Sequence, residues 1–217
     1  YEIPLRLVGS EMCIRDSKGS QFMFSVAATP PWSLWDGKDY KNMSDQDEAK
    51  FRMIEYHKWK FKAKIFSPLA PLTVKRTPVL MTRVEYGFLG SYNKYKKSPF
   101  ETFYMGGDGM SGYSSTYATE TIGLRGYENG SIAGNGGYNS YGYAYSRLSM
   151  ELRYPFLLEP SSTIYGLVFV EAGNAWRDLK DFNPFQLKRS AGVGVRIFLP
   201  MIGLMGIDWA YGFDRPD

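Results

Sequence analysis

In the stretch FRMIEYHKWKFKAKIF (residues 51–66), Lys58, Lys60, Lys62 and Lys64 are basic, while Trp59, Phe61, Ala63 and Ile65 between them are apolar. A period of two gives an extended strand one wet face and one oily face. The pattern returns in PVLMTRVEYGF, where Leu80, Val84, Tyr86 and Phe88 oppose Arg83 and Glu85. It returns in SRLSMELRY, where Leu148, Met150, Leu152 and Tyr154 oppose Ser149, Glu151 and Arg153. SAGVGVRIF sets Ala191, Val193, Val195 and Ile197 against Gly192, Gly194 and Arg196; MGIDWAYGF sets Ile207, Trp209, Tyr211 and Phe213 against Asp208. QFMFSVAA is a shorter case, and TIYGLVFVEAGNAW is apolar on both faces until Glu171. These segments predict seven strands and an all-β chain.

Period two alone also describes a lipocalin or any half-buried sheet. The connections separate the readings. They run long (Thr29 to Ala49), short (Ser67 to Thr77), very long (about Ser91 to Gly142), short (Pro155 to Ser161), medium (Arg177 to Leu187) and very short (Pro200 to Gly203). A soluble sandwich has no reason to keep long loops at one end, whereas a transmembrane barrel has short periplasmic turns and long extracellular loops. Aromatics near strand ends, among them Tyr56, Tyr86, Phe88, Tyr154, Trp176 and Trp209, fit interfacial girdles. A mean hydropathy of −0.33 fits as well, because only every second residue would meet lipid. The expected fold is therefore part of a transmembrane antiparallel β-barrel, an open curved sheet in this chain, because a bacterial single-chain barrel closes with an even strand number.

Composition removes other classes. No run of eighteen apolar residues exists, which excludes a transmembrane helix. The formal charge of +4 is spread rather than gathered, so nucleic acid is not an expected partner. One cysteine and one histidine form neither an internal disulfide nor a histidine-rich metal site. No secretory signal is visible at Tyr1, so the chain is expected to start after any export signal or to be a fragment.

The longest connection contains ETFYMGGDGMSGYSSTYATETIGLRGYENG, with a glycine pair after aromatics (Phe103, Tyr104, Gly106, Gly107) and the tetrapeptide Leu124, Arg125, Gly126, Tyr127. From about Lys18 to Asp217 the chain resembles the C-terminal half of the BamA family of outer-membrane protein insertases, most similar to the Bacteroidetes form. In that family a long extracellular loop carries a V-R-G-F type tetrapeptide after an F-Y-x-G-G segment and folds back into the barrel lumen. Here the tetrapeptide reads LRGY, and roughly a dozen more residues separate it from the glycine pair than in the enterobacterial form. SMELRYPF, FVEAGNAW and SAGVGVRIFLPMIGLMGIDWAYGF resemble the following strands in order. The resemblance implies that the seven strands are the ninth to fifteenth of sixteen. The first eight strands, the last one and the periplasmic POTRA domains are then expected outside this chain. Residues 18–217 read as one unit containing the lumen-inserted loop 91–142.

The resemblance also implies a function: folding and inserting other β-barrel proteins in the bacterial outer membrane without nucleotide. Outer-membrane lipids, client β-barrels and accessory assembly lipoproteins would be the partners, with no cofactor. It further implies that Arg125 is held by acids at positions matching Glu151 and Glu171, which period two puts on lumen faces. A guanidinium suits that task through paired, charge-assisted hydrogen bonds. Gly126 would allow close approach and Tyr127 would pack beside it. The residues alone favour an ordinary extracellular turn with solvated acids; the resemblance reverses that preference. The alternatives are another superfamily transporter, TamA-like or of two-partner secretion, and, from a different class, a passive porin.

Remaining features read more simply. GGDGMSG and GNGGYNSYG do not lead a buried strand into a helix and lack Gly-Lys-Ser/Thr, so they are loops rather than phosphate cradles. His57 reads as a packed or interfacial histidine. The lysine ladder, beside Glu55, Arg83 and Glu85, is expected to face the inserted loop and water rather than to line an anion-selective pore. No nucleophile, base and orienter set can be assembled, so no enzyme is expected. Residues 11–17, EMCIRDS, resemble the translation of a transposon mosaic end used in sequencing-library preparation, so residues 1–17 are expected to be an adapter-derived or chimeric leader. Sequencing the locus from unamplified DNA and finding those codons intact would refute this.

Overall fold

Alternating apolar and polar side chains settle into strands wherever the pattern holds. The computed structural model describes residues 18–44, 50, 52–71, 76–108, 120–132, 141–159, 162–199, 201 and 203–214; residues 1–17, with Cys13 and the expected leader, lie outside the described residues. In chain order the elements are β1 (Gly19–Ala28), α1 (Trp32–Trp35), β2 (His57–Pro68), β3 (Val79–Gly90), β4 (Phe103–Met105), β5 (Glu120–Ile122), β6 (Ala144–Glu159), β7 (Ser162–Trp176), a 3₁₀ turn (Leu179–Asp181), β8 (Lys188–Leu199) and β9 (Gly203–Gly212). The seven expected strands form one open sheet in the order β1-β2-β3-β6-β7-β8-β9, every neighbour antiparallel. The short strands β4 and β5 pair in parallel inside the long connection.

The register aligns like residues across the sheet. On the inner face, the side covered by the long connection, Gln21, Lys64, Arg83, Ser149, Glu171 and Ser190 lie in one row. On the outer face Val26, Trp59, Phe88, Ala144 and Trp176 form another. Burial inverts the partition of a water-soluble protein: Val168, Val170, Ile207 and Trp209 on the outer face are at least half exposed, while Glu151 and Glu171 on the inner face are buried. A surface of that kind is stable against hydrocarbon. The band has the right height: about ten residue steps of β6 separate Ala144 from Tyr154, roughly 33 Å of strand and about 25 Å of thickness at a tilt near 40°. Long connections leave one end of the sheet and short ones the other, as expected.

Two expectations need correction. The period of β2 does not extend back to Glu55, because the strand starts at His57. Glu55 is buried beneath α1, where it accepts the Ser33 N–H (2.8 Å) and hydroxyl (2.6 Å), with the Lys96 ammonium 3.9 Å away. The break expected at Pro155 is absent too; β6 runs through it to Glu159. The proline lies beyond the pairing with β3, which ends at Arg153, and beside a register shift that leaves the next residue, Phe156, without a partner on β7. His57 is packed: its Nδ1 accepts from the Trp59 indole at 3.0 Å, and its ring meets Tyr92 edge-on.

Candidate functional site: a loop locked against the inner face

Between β3 and β6 the chain turns back over the sheet. β4 brings the FYM segment alongside β5, and the glycine pair is then stitched to the tetrapeptide: the Gly106 N–H donates to the Ile122 carbonyl (2.9 Å) and the Gly107 N–H to that of Tyr127 (3.0 Å). Gly107 has φ 72, and a side chain there would run into Asn129. Phe103, Met105, Ile122 and Leu124, all buried, pack with Leu89 and Tyr145 of the wall into the main apolar cluster. The core of this chain therefore lies between loop and sheet, which holds the loop in place before any charge is considered.

From that cluster Arg125 reaches into the wall. Its Nη2 donates to Glu151 Oε1 at 2.6 Å and to Glu171 Oε1 at 2.7 Å, and its Nη1 donates to Asp208 Oδ2 at 3.2 Å. Its backbone N–H donates to Glu171 Oε2 at 3.0 Å, so Glu171 grips both ends of the residue. The guanidinium carbon lies 3.5 Å from the centroid of the Phe169 ring. That stacking explains the large apolar residue on the inner face of β7, and it offsets part of the desolvation of the cation.

Neighbours of the arginine complete the fit. Gly126, with φ 91, lies so close to β9 that a Cβ on it would be 2.9 Å from the Gly212 nitrogen. A Cβ on Gly212 would in turn be 2.7 Å from the Gly126 carbonyl. The Tyr127 hydroxyl donates to the Arg189 carbonyl (2.7 Å) and accepts the Asp214 N–H (3.2 Å). Leu124 to Tyr127 thus reach β6, β7, β8, β9 and the residues just after β9.

The wall is prepared for its guest. Arg153 holds Glu151 through two bonds (3.1 and 2.9 Å), Arg147 and Ser149 hold Glu171 (2.9 and 3.1 Å), and Arg196 holds Asp208 (2.5 and 2.6 Å). Each acid already has a wall cation, so withdrawing Arg125 strands no carboxylate. Removing an acid is different, because it leaves two arginines short of a counter-charge. The site is a docking point for one loop cation, built so that its vacancy is tolerable.

The structure brings together all eight residues singled out in the sequence: Gly106, Gly107, Leu124, Arg125, Gly126, Tyr127, Glu151 and Glu171. Asp208 and Phe169 were missed as partners of Arg125. Period two had put Asp208 on the wet face of the last strand, which is the signal that could have found it. The lysine ladder also faces the loop, with Lys58 and Lys60 each 3.0 Å from Glu120 at the start of β5.

Residues 49–217 match the Omp85 superfamily domain. No curated protein matches the chain. The fold is similar to the crystal structure of BamA from Haemophilus ducreyi lacking POTRA domains 1-3, with a TM-score of 0.61 and 20% identity over 92% of this chain. The chain spans 36% of the length of that structure. The matched span contains the loop, the acids that hold it and every sheet strand from β2 onward, and the chain belongs to the Omp85 superfamily.

Proposed function

We propose that the protein carrying this chain folds and inserts β-barrel proteins in the bacterial outer membrane, and that this chain supplies the loop-bearing wall of its barrel. The observation that carries the reading is Arg125, held by Glu151, Glu171 and Asp208 on three strands. A loop fastened this way occupies the interior that a passive pore would leave open, which speaks against the porin reading. It also braces one side of the barrel, so that the opposite side can open to a client strand that adds by β-augmentation. The outer face of exposed Val, Ile and Trp side chains is the surface for lipid; clients and accessory lipoproteins are partners of the whole protein. The work is binding and templating, with no covalent step.

The protein reconstituted in liposomes tests the proposal. It should speed the folding of an added, urea-unfolded β-barrel client and pass small solutes slowly. Rapid solute flux with no effect on client folding would contradict it.

A further inference from the structure

Arg125 is not the only charge that fastens the loop. Glu120 lies on the lysine ladder of β2: its carboxylate is 3.0 Å from the Lys58 ammonium, 3.0 Å from that of Lys60 and 3.6 Å from that of Lys62. A second loop carboxylate, Glu101, meets Lys58 at 3.1 Å. Lys58 is buried to 5% side-chain exposure, with its ammonium 4.8 Å above the Phe103 ring. Phe103 and Glu120 are direct partners in the β4–β5 pair, so the cation sits where the two loop segments meet. Glu101 has a φ of 64, a left-handed conformation that non-glycine residues adopt rarely and keep only where contacts hold them.

We propose that Glu120 and Glu101, with Lys58, Lys60 and Lys62, form a second clamp of reversed polarity that sets the register of the loop. The inference rests on the locked-loop reading above. On β2 the wall is cationic and the loop anionic; on β6, β7 and β9 the wall presents acids and the loop an arginine. At the lysines Arg125 would meet only like charge, and at the acids Glu120 would meet three carboxylates whose wall arginines are already engaged. Four residues lie between Glu120 and Arg125, at most about 18 Å of extended chain, so a loop shifted or reversed along the inner face would bring Arg125 to the lysines and leave Glu120 without an unengaged cation. Glu120 is a positioning residue under this proposal, and the two clamps hold different parts of the loop.

Amide hydrogen exchange on the protein in lipid separates them. The Gly106 N–H, bonded to Ile122, reports the Glu120 clamp; the residue-125 N–H, bonded to Glu171, reports the other. Glu120→Lys should speed exchange at Gly106 by about tenfold or more and leave residue 125 protected, whereas Arg125→Ala should do the reverse. Adding Lys60→Glu to Glu120→Lys should restore protection at Gly106, a rescue that loss of packing cannot mimic. Glu120→Gln, which keeps the shape, should fall between. Unchanged exchange at Gly106 in Glu120→Lys would overturn the proposal, as would an equal rise at Gly106, residue 125 and the amides of β6 and β7. Client folding is read separately: a freed Gly106 segment with undiminished client folding would confirm the clamp and refute the assembly role of the loop.

Discussion

Replacing Glu171 by glutamine removes the charge at the centre of the lock while keeping its shape. Glu171 Oε1 accepts from Arg125 Nη2, Arg147 Nη2 and Ser149, and Oε2 accepts the Arg125 N–H. Glutamine has one oxygen. Placed at the Oε1 position, it sets its NH₂ against the Arg125 N–H, donor against donor. Orphaning that amide costs about 1–3 kcal/mol, and turning two ionic hydrogen bonds into neutral ones costs about 1 kcal/mol each, for a total near 3–5 kcal/mol. Glu151→Gln should cost less, about 3 kcal/mol: two Arg153 bonds turn neutral and the single Arg125 bond is lost, at about 1 kcal/mol each, but Arg125 Nη2 keeps Glu171 and no donor is orphaned. A double-mutant cycle with Arg125→Ala, read from urea unfolding in lipid, should give a coupling of only about 1 kcal/mol with Glu171→Gln, the Nη2 bond, because the residue-125 N–H and the Arg147 bond survive the alanine and most of the Glu171→Gln cost persists beside it. A Glu171→Gln cost that vanishes in the Arg125→Ala background would refute this reading of the geometry.

Gly126→Ala must push against the Gly212 nitrogen at 2.9 Å and adopt a φ of 91; it should destabilise the docked loop by about 2 kcal/mol or more, seen as faster exchange of the residue-125 amide. Phe169→Leu should weaken the lock by about 1 kcal/mol through lost stacking on the guanidinium, measured in the same unfolding experiment. Burial works to raise the Glu120 carboxyl, but hydrogen bonds from Lys60 and Lys58 outweigh it and hold its pKa below the ordinary 4.5. Its stabilisation is thus complete above that value and is lost as pH falls through the lowered one, so Gly106 exchange, corrected for its intrinsic pH dependence, should stay flat from neutrality down to that value and rise only below it. Lys97 and Asp178, an exposed pair at 2.9 Å, should matter little: Lys97→Ala is expected to change stability by less than about 1 kcal/mol.

Strand number, strand faces and the disposition of long and short connections were legible because each strand is two-faced and the period is short. Glu151 and Glu171 were legible for the same reason, as inner-face acids on the strands after the loop. Arg125 was not distinguishable from a turn residue by its local sequence; the resemblance singled it out. Asp208 sits on a different inner-face row from Glu171, and only the register across β8 shows that one guanidinium can span both. Glu120 carried no signal, since a residue inside a long loop has no period to place it, and the lysines that meet it could be read only as facing the inserted loop and water. Glu55 and Pro155 went astray at strand ends, where a period carried one step too far moves a side chain to another environment.

The central claim is that Arg125 fastens the loop to this wall and that the fastening serves client assembly. Measuring client β-barrel folding in liposomes by the Arg125→Glu protein, and by the same protein with Glu171→Arg added, tests it most directly. The single reversal sets a carboxylate against Glu151, Glu171 and Asp208, and client folding should fall by at least about tenfold; the second reversal restores an opposite pair and should recover part of that loss. Full activity in Arg125→Glu, with the strands of the sheet intact, would contradict the account.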